Sequence, residues 1–302
     1  MSLLKRLIEE GGLSQSQLAA QLGVTFAALN RWVNGHAKPR SGKIIAIDKL
    51  FREIVGYPSI PEKEIAAKIR EANLMRRKNL WAVIAKNKNL QDELLLEHTY
   101  NSTSIEGTTF NKRETEAVIF NKAIISDKSL VEHLEVTNHA ITLRRIFNRD
   151  IVKRGLDETF IRDLHKDVLA GIREDAGHYS KYQRAIRGMN IHLTPPLDVP
   201  EEMRRLLKGW KNHRKITVKE IAEFHVNFEL IHPFGDGNGR VGRILMVLQC
   251  LMGDYPPVVI ENTRKADYYD VLEYAQRKSK NPFILFLVDE MKQTRKLLEK
   301  YL

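Results

Sequence analysis

His232-Pro233-Phe234-Gly235-Asp236-Gly237-Asn238-Gly239-Arg240-Val241-Gly242-Arg243 is the stretch on which the fold of this chain turns. Its glycines allow positive φ and close approach to a ligand, and amides that follow such a turn at a helix start form an anion-holding nest. Ile244, Leu245, Val247, Leu248 and Leu251 then continue as a mostly apolar helix closed by Gly253, which sets Arg240 and Arg243 on one face of its first turn. Cations at that end oppose the helix dipole by roughly 0.3–1 kcal/mol each, and a polyphosphate would reverse the sign. A solvated basic helix end is the alternative for two arginines alone. The glycines, His232 and Asp236 argue against it and point to phosphoanhydride chemistry.

A helix also precedes the turn. Thr217 and Glu220 form a capping box, and Ile221, Phe224, Phe228 and Ile231 fall on one side. Gly237-x-Gly239-x-x-Gly242 satisfies the dinucleotide-binding spacing, but that fingerprint needs a strand in front, and no Gly-Lys-Ser/Thr closes a P-loop. Most of the remaining chain reads as helices: Ile65 to Asn89, Leu90 to Ser104, Lys112 to Ile124, about Ser129 to Asn148, one capped by Asp157, and one opened by Pro200-Glu201. Only Ile186 to Leu193 looks extended.

The first residues read differently. Leu3, Leu4, Leu7 and Ile8 give a short helix. Ser14 and Gln17 cap a second, and after Gly23 Thr25 caps a third carrying Phe26, Leu29 and Trp32. Tyr57-Pro58-Ser59-Ile60-Pro61 ends this module. With Gln15, Leu18-Ala19, Gly23-Val24, Trp32, Gly35 and Pro39, it resembles the helix-turn-helix domain of phage-repressor type. That resemblance implies Thr25, Ala27, Ala28, Asn30 and Arg31 on the DNA-facing surface and Gln15 and Lys38 near phosphates. A protein-interaction module that keeps the fold without groove contacts is the alternative.

The string from His232 to Arg243 resembles the signature of the Fic family, His-x-Phe-x-Asp/Glu-Gly-Asn-Gly-Arg-x-x-Arg, at every fixed position. The resemblance implies an all-α chain, with a helix-turn-helix domain at 1–58 and a helical Fic domain at 59–302 bearing a short β-hairpin flap. It also implies protein adenylyltransferase activity, the transfer of AMP from ATP to a protein Ser, Thr or Tyr. His232 would be the general base and Asp236 would hold Mg2+. Asn238 and the amides around Gly237 and Gly239 would grip the α- and β-phosphates, Arg240 the β- and Arg243 the γ-phosphate, with Phe234 an apolar anchor. Tyr268, Tyr269 and Leu272 match positions around the base, and Gln276 stands where relatives often carry Asn. Ile186, Met189 and His192 fall in the flap that docks the target by strand addition. Ser180 and Lys181 depart from the arginine often found after the tyrosine matched by Tyr179.

Ser102-Thr103-Ser104-Ile105-Glu106-Gly107 places a hydroxyl and a carboxylate on one helical face, with Gly107 a natural C-cap. It resembles the family's inhibitory helix, in which the glutamate takes the arginine meant for the γ-phosphate, here Glu106 on Arg243.

Composition sets the frame. The chain has 302 residues, 43% hydrophobic, with formal charge +11 and pI near 9.6, long enough for two domains and consistent with an anionic partner. No stretch approaches eighteen apolar residues, so no membrane association is expected. The one cysteine, Cys250, lies in the apolar helix and excludes an internal disulfide, which fits a cytoplasmic protein. ATP, a protein target and DNA are the partners implied, and a homo-oligomer stays open. Two other readings remain: a transcription regulator whose Fic domain senses a nucleotide, against which the intact His232 argues, and removal of AMP, with Glu106 positioning water.

Overall fold

Capping side chains set the start of helix after helix in the computed structural model, which describes residues 3–56, 60–148, 155–186, 191–211 and 215–301, apart from the side chains of 48 and 53. The chain divides into two compact units, residues 1–61 and 62–302.

In the first unit α1 (Leu3–Glu9), α2 (Gln15–Gln21), α3 (Phe26–Val33) and α4 (Ser41–Ile54) surround one apolar cluster. Ser14 caps α2 in a full capping box with Gln17, and the Thr25 hydroxyl accepts from the Ala28 amide at 3.2 Å to start α3. Leu4, Leu7, Leu18, Leu22, Leu29 and Phe51 are buried together. Each such side chain contributes about 1.5–3 kcal/mol by leaving water.

The second unit comprises α5 (Glu62–Leu74), α6 (Leu80–Lys86), α7 (Lys88–Glu106), α8 (Lys112–Asn121), α9 (Leu130–Phe147), α10 (Glu158–Val168), α11 (Val199–Lys211), α12 (Val218–Ile231), α13 (Asn238–Met252), α14 (Lys265–Arg277) and α15 (Asn281–Leu298). A 3-10 turn, Asn262–Arg264, precedes α14. The axis of the unit is α13, whose residues from Arg240 to Leu251 are all buried, as expected of a helix that is apolar all round. It packs on α12, α10, α7, α9 and α6. The turn at its N-terminus is therefore ringed by the ends of other helices.

The structure differs from the sequence expectation at two places. The helix expected from Ile65 to Asn89 is two helices, because Asn79 takes a left-handed conformation (φ 62°) ahead of α6; Asn87 then ends α6 and caps α7. The helix expected to reach Ile124 stops at Asn121, where Lys122 turns left-handed (φ 54°). The hairpin expected over Ile186 to Leu193 falls largely on residues that are not described. Residues 187–190, Met189 among them, lie outside the described residues, and no strand occurs among those described.

Candidate active site

The turn from α12 to α13 begins with His232 itself in the left-handed region, φ 48° and ψ 59°. A non-glycine residue there costs of order 1–3 kcal/mol and persists only where neighbours enforce it. The His232 amide donates to the Phe228 carbonyl at 2.8 Å. Arg184, 7% exposed, donates to the carbonyls of Ile231, His232 and Thr194 at 2.9 Å each and to that of Tyr182 at 3.3 Å. One guanidinium thus gathers the last carbonyls of α12 and the chain after the flap segment. Burial holds its pKa below the ordinary arginine value. The His232 Nδ1 lies 3.6 Å from Oε2 of Glu229, a buried carboxylate one turn back on α12.

Phe234 is fully buried and stacks on His165 of α10, ring centroids 3.7 Å apart and 6° from parallel. His165 Nδ1 accepts from the Gly177 amide at 2.7 Å, so its proton is on Nε2, which donates to the Asp236 carbonyl at 3.0 Å. Burial pushes this imidazole down to about 4, and it stays neutral. Asn238 braces the same turn: Oδ1 accepts from the Phe234 amide and Nδ2 donates to the Phe234 carbonyl, both at 2.9 Å. Each end of the Asn238 amide is thus bonded to the loop. Gly237, left-handed at φ 73°, caps α13, and its own amide donates to Asp236 Oδ1 at 2.6 Å. The amides of Asn238, Gly239 and Arg240 are the first-turn donors without intrahelical acceptors.

Both arginines are 2% exposed and both meet acids. Arg243 donates from Nε to Ser102 Oγ at 2.9 Å, and from Nη2 to the Ser102 carbonyl at 3.0 Å and to Glu106 Oε1 at 2.6 Å; Nη1 has no partner. Burial weighs against its charge, and the Glu106 carboxylate more than restores it, leaving the pKa raised. Glu106 is the last residue of α7, and Gly107 closes that helix at φ 113°. A β-carbon on Gly239 would collide with Glu106 Oε1 and approach Arg243 Nη1 to 2.9 Å. The carboxylate therefore lies across the opening turn of α13. Arg240 Nη1 donates to Glu135 Oε1 of α9 at 2.7 Å, and its Nη2 lies 3.4 Å from Asp236 Oδ1.

The expected base-contacting residues separate on α14. Tyr268 is a core residue, 1% exposed, its hydroxyl 2.9 Å from His225 Nε2 and its ring 6.0 Å from the Arg243 guanidinium carbon. Tyr269 is half-buried beside it. Gln276 has both amide atoms buried and unpartnered. Of the flap residues, Ile186 and His192 flank 187–190, and beyond them the Thr194 amide donates to the Leu230 carbonyl at 3.2 Å.

In the first unit Asn30 Nδ2 donates to Gln15 Oε1 at 3.2 Å, joining the start of α2 to α3; Thr25 is the α3 cap and Arg31 is exposed. Sequence reasoning passed over His165, Glu229, Arg184 and Glu135. For Glu229 a signal existed: it stands three residues before His232, on the same face of a helix. No helix among the described residues is long and apolar enough to cross a membrane.

The match to known proteins follows this geometry. Residues 155–250 match the Fic/DOC family and residues 4–53 a helix-turn-helix family. A protein named protein adenylyltransferase Fic from Culex quinquefasciatus is 31% identical over 225 residues, covering 72% of this chain and 44% of that protein. The chain thus spans less than half the length of the curated relatives it matches. The crystal structure of a Fic domain containing signaling protein from Bacteroides thetaiotaomicron superposes with TM-score 0.61 at 25% identity, over 78% of this chain and 95% of that one. A Fic family protein from Desulfovibrio desulfuricans gives TM-score 0.65 at 26% identity, over 81% and 76% of the two chains. By motif, fold and match together, this chain carries a Fic domain, with a helix-turn-helix domain ahead of it.

Proposed function

We propose that residues 62–302 transfer AMP from ATP to a protein hydroxyl, and that Glu106 holds the enzyme back. The observation that carries this reading is the meeting of two buried arginines at the N-terminus of α13, with His232 at the end of α12 opening the turn that leads into it. A buried cation wants an anion, and a nucleotide triphosphate supplies the charge that Glu106 and Glu135 supply in its absence.

In the step itself the His232 imidazole takes the proton of the target hydroxyl and the freed oxygen bonds to the α-phosphorus. The α-phosphorus to bridging-oxygen bond breaks and pyrophosphate leaves; the imidazole then returns its proton to solvent. The free amides of Asn238 and Gly239 face the α- and β-phosphates, Arg240 the β- and Arg243 the γ-phosphate. Tyr269 and the unpartnered Gln276 amide would meet the base. Residues 186–192 would hold target main chain beside His232.

The residues present fit Mg2+. Among those described no cluster of three or more His, Cys, Asp or Glu forms a closed cage, and Asp236, half-exposed, offers one carboxylate whose Oδ1 already takes the Gly237 amide. One carboxylate suits an ion that keeps most of its waters and shares phosphate oxygens. When bound it would draw charge from the phosphates and the departing pyrophosphate.

The 2.6 Å contact of Glu106 with Arg243 supports an inhibited resting state. Glu106→Gly, given ATP labelled on the α-phosphate, is expected to label itself or added protein at least about tenfold faster than the unaltered chain, equivalent to about 1.4 kcal/mol of competition. His232→Ala in that background should abolish labelling. Equal rates with and without Glu106 would remove the inhibitory role, and labelling that survives His232→Ala would remove the mechanism.

The helix-turn-helix match favours a second interface, on DNA, with Arg31 and α3 toward the major groove. Arg31→Ala should weaken binding of duplex DNA and lower its salt slope by about one if the contact is to phosphate; unchanged binding would exclude it. The buried thiol of Cys250, pushed up to about 12 by burial, is inert and suits a cytoplasmic protein.

A further inference from the structure

Glu229 is a carboxylate in the core that neither the phosphate site nor the Glu106 contact uses. It is 3% exposed, Oε1 has no hydrogen-bond partner, and Oε2 lies 3.6 Å from His232 Nδ1. Burying a carboxylate costs several kcal/mol unless cations or donors answer it. Burial does push the Glu229 carboxyl up, but His232, His225 and Arg243 more than reverse it, so it stays below the ordinary carboxylate range.

The surrounding chain makes room for this group. A β-carbon at Gly242 would come within 2.5 Å of Glu229 Oε1 and 3.1 Å of His225 Cε1. Gly242 falls between the fixed positions of the family pattern, so the phosphate chemistry does not require it; of the atoms that a side chain there would meet, Glu229 Oε1 is the nearest, ahead of His225 and Phe228. His225 cannot be the intended cation. Burial pushes it down to about 4 and its Nε2 is taken by the Tyr268 hydroxyl. His232 Nδ1, buried and without a hydrogen bond, faces Glu229.

We infer that Glu229 is a positioning residue for His232: its carboxylate holds the ring in the tautomer with the proton on Nδ1, leaving the Nε2 lone pair for the target hydroxyl. The inference rests on the adenylyl-transfer reading. At 3.6 Å the contact is longer than a hydrogen bond, and such contacts between catalytic groups commonly tighten when substrate arrives. The balance is simple. The hydroxyl proton goes to Nε2, the Nδ1 proton stays on the ring throughout, and Glu229 remains a carboxylate that faces the imidazolium during attack. A ring protonated on Nε2 instead has no lone pair there to receive the hydroxyl proton.

The test uses the full chain in the Glu106→Gly background. Nitrogen-15 spectra should find His232 protonated on Nδ1, and the near-isosteric Glu229→Gln should move the population toward Nε2. The same change should lower kcat at least about tenfold while KM for ATP stays within about twofold. Glu229→Asp, which keeps the charge, should recover more activity than Gln. An unchanged tautomer, or an unchanged kcat, overturns the inference. If Glu229→Gln does not fold, Gly242→Ala displaces the carboxylate by the contact above and must give the same tautomer shift. Should Glu106→Gly transfer no AMP while the tautomer still follows Glu229, the activity reading fails and the positioning role stands.

Discussion

His165 shows what one side chain does here without touching substrate. It stacks under Phe234, accepts from the Gly177 amide and donates to the Asp236 carbonyl, and so fixes the turn that carries His232 and Asp236. His165→Ala leaves a cavity and two orphaned backbone groups, and should lower the unfolding free energy by roughly 2–4 kcal/mol in urea titration. A loss under about 0.5 kcal/mol, the range of an ordinary surface change, would mean that the turn is held by Asn238 alone. At this scale the candidate residues were legible in the sequence but their supports were not. His232, Asp236 and Arg243 stand in one contiguous string, whereas His165 lies 71 residues from Asp236 in sequence and meets it only through packing. Asn238 was legible as a member of the motif, yet its bonds run to Phe234 rather than outward.

Helix ends carry the next level. Among the described residues, the four capping boxes at Ser14, Asn111, Ser129 and Thr217 are local patterns that a reader of sequence can find, because cap and acceptor are three residues apart. The left-handed Asn79 and Lys122 have no such local signature, which is why two helices end earlier than their apolar periodicity suggests. Arg184 belongs to the same class of hidden feature. Its position follows the tyrosine by five residues, where nothing in the pattern demands a cation, and its partners are carbonyls from three separate segments. Through it the end of α12 and the chain on either side of the flap segment share one guanidinium. Target main chain held at 186–192 would therefore bear directly on the backbone of His232. The acids that face the two arginines come likewise from separate helices, Glu106 from α7 and Glu135 from α9. Only the first was visible in sequence, through a motif of its own.

For the molecule as a whole, the helical class follows from periodicity, and the prolines at 58 and 61 mark the end of the first module, expected at 58 and found at 61 by the division into units. The buried histidines beneath α13 do not follow, since a histidine on a helix face reads the same whether solvated or enclosed. They set the acid limit of stability. Burial pushes His98 down to about 3, His165 and His225 to about 4, and His139 well below its ordinary value. An unfolded histidine takes its proton near pH 6.5. Between that value and about 4 the unfolded chain binds more protons than the folded one, so stability falls as pH falls through this window. Each histidine then costs up to roughly 2 kcal/mol by pH 5. Glu290 acts in the opposite sense: burial raises its carboxyl to about 7, and protonating it as pH falls from 7 toward 4.5 returns about as much as one histidine removes. Four groups against one leave a net loss of several kcal/mol out of a total of roughly 5–15. With Trp32 replaced by Phe, the fluorescence of Trp81 and Trp210 reports residues 62–302 alone. Urea midpoints should then drop from pH 7 to pH 5, and the deficit of His165→Ala should shrink by roughly 2 kcal/mol over the same interval, because that chain no longer has the ring to protonate on unfolding. Parallel curves for the two chains would mean that His165 is already charged when folded, and that the proton assigned to its Nε2 alone is wrong.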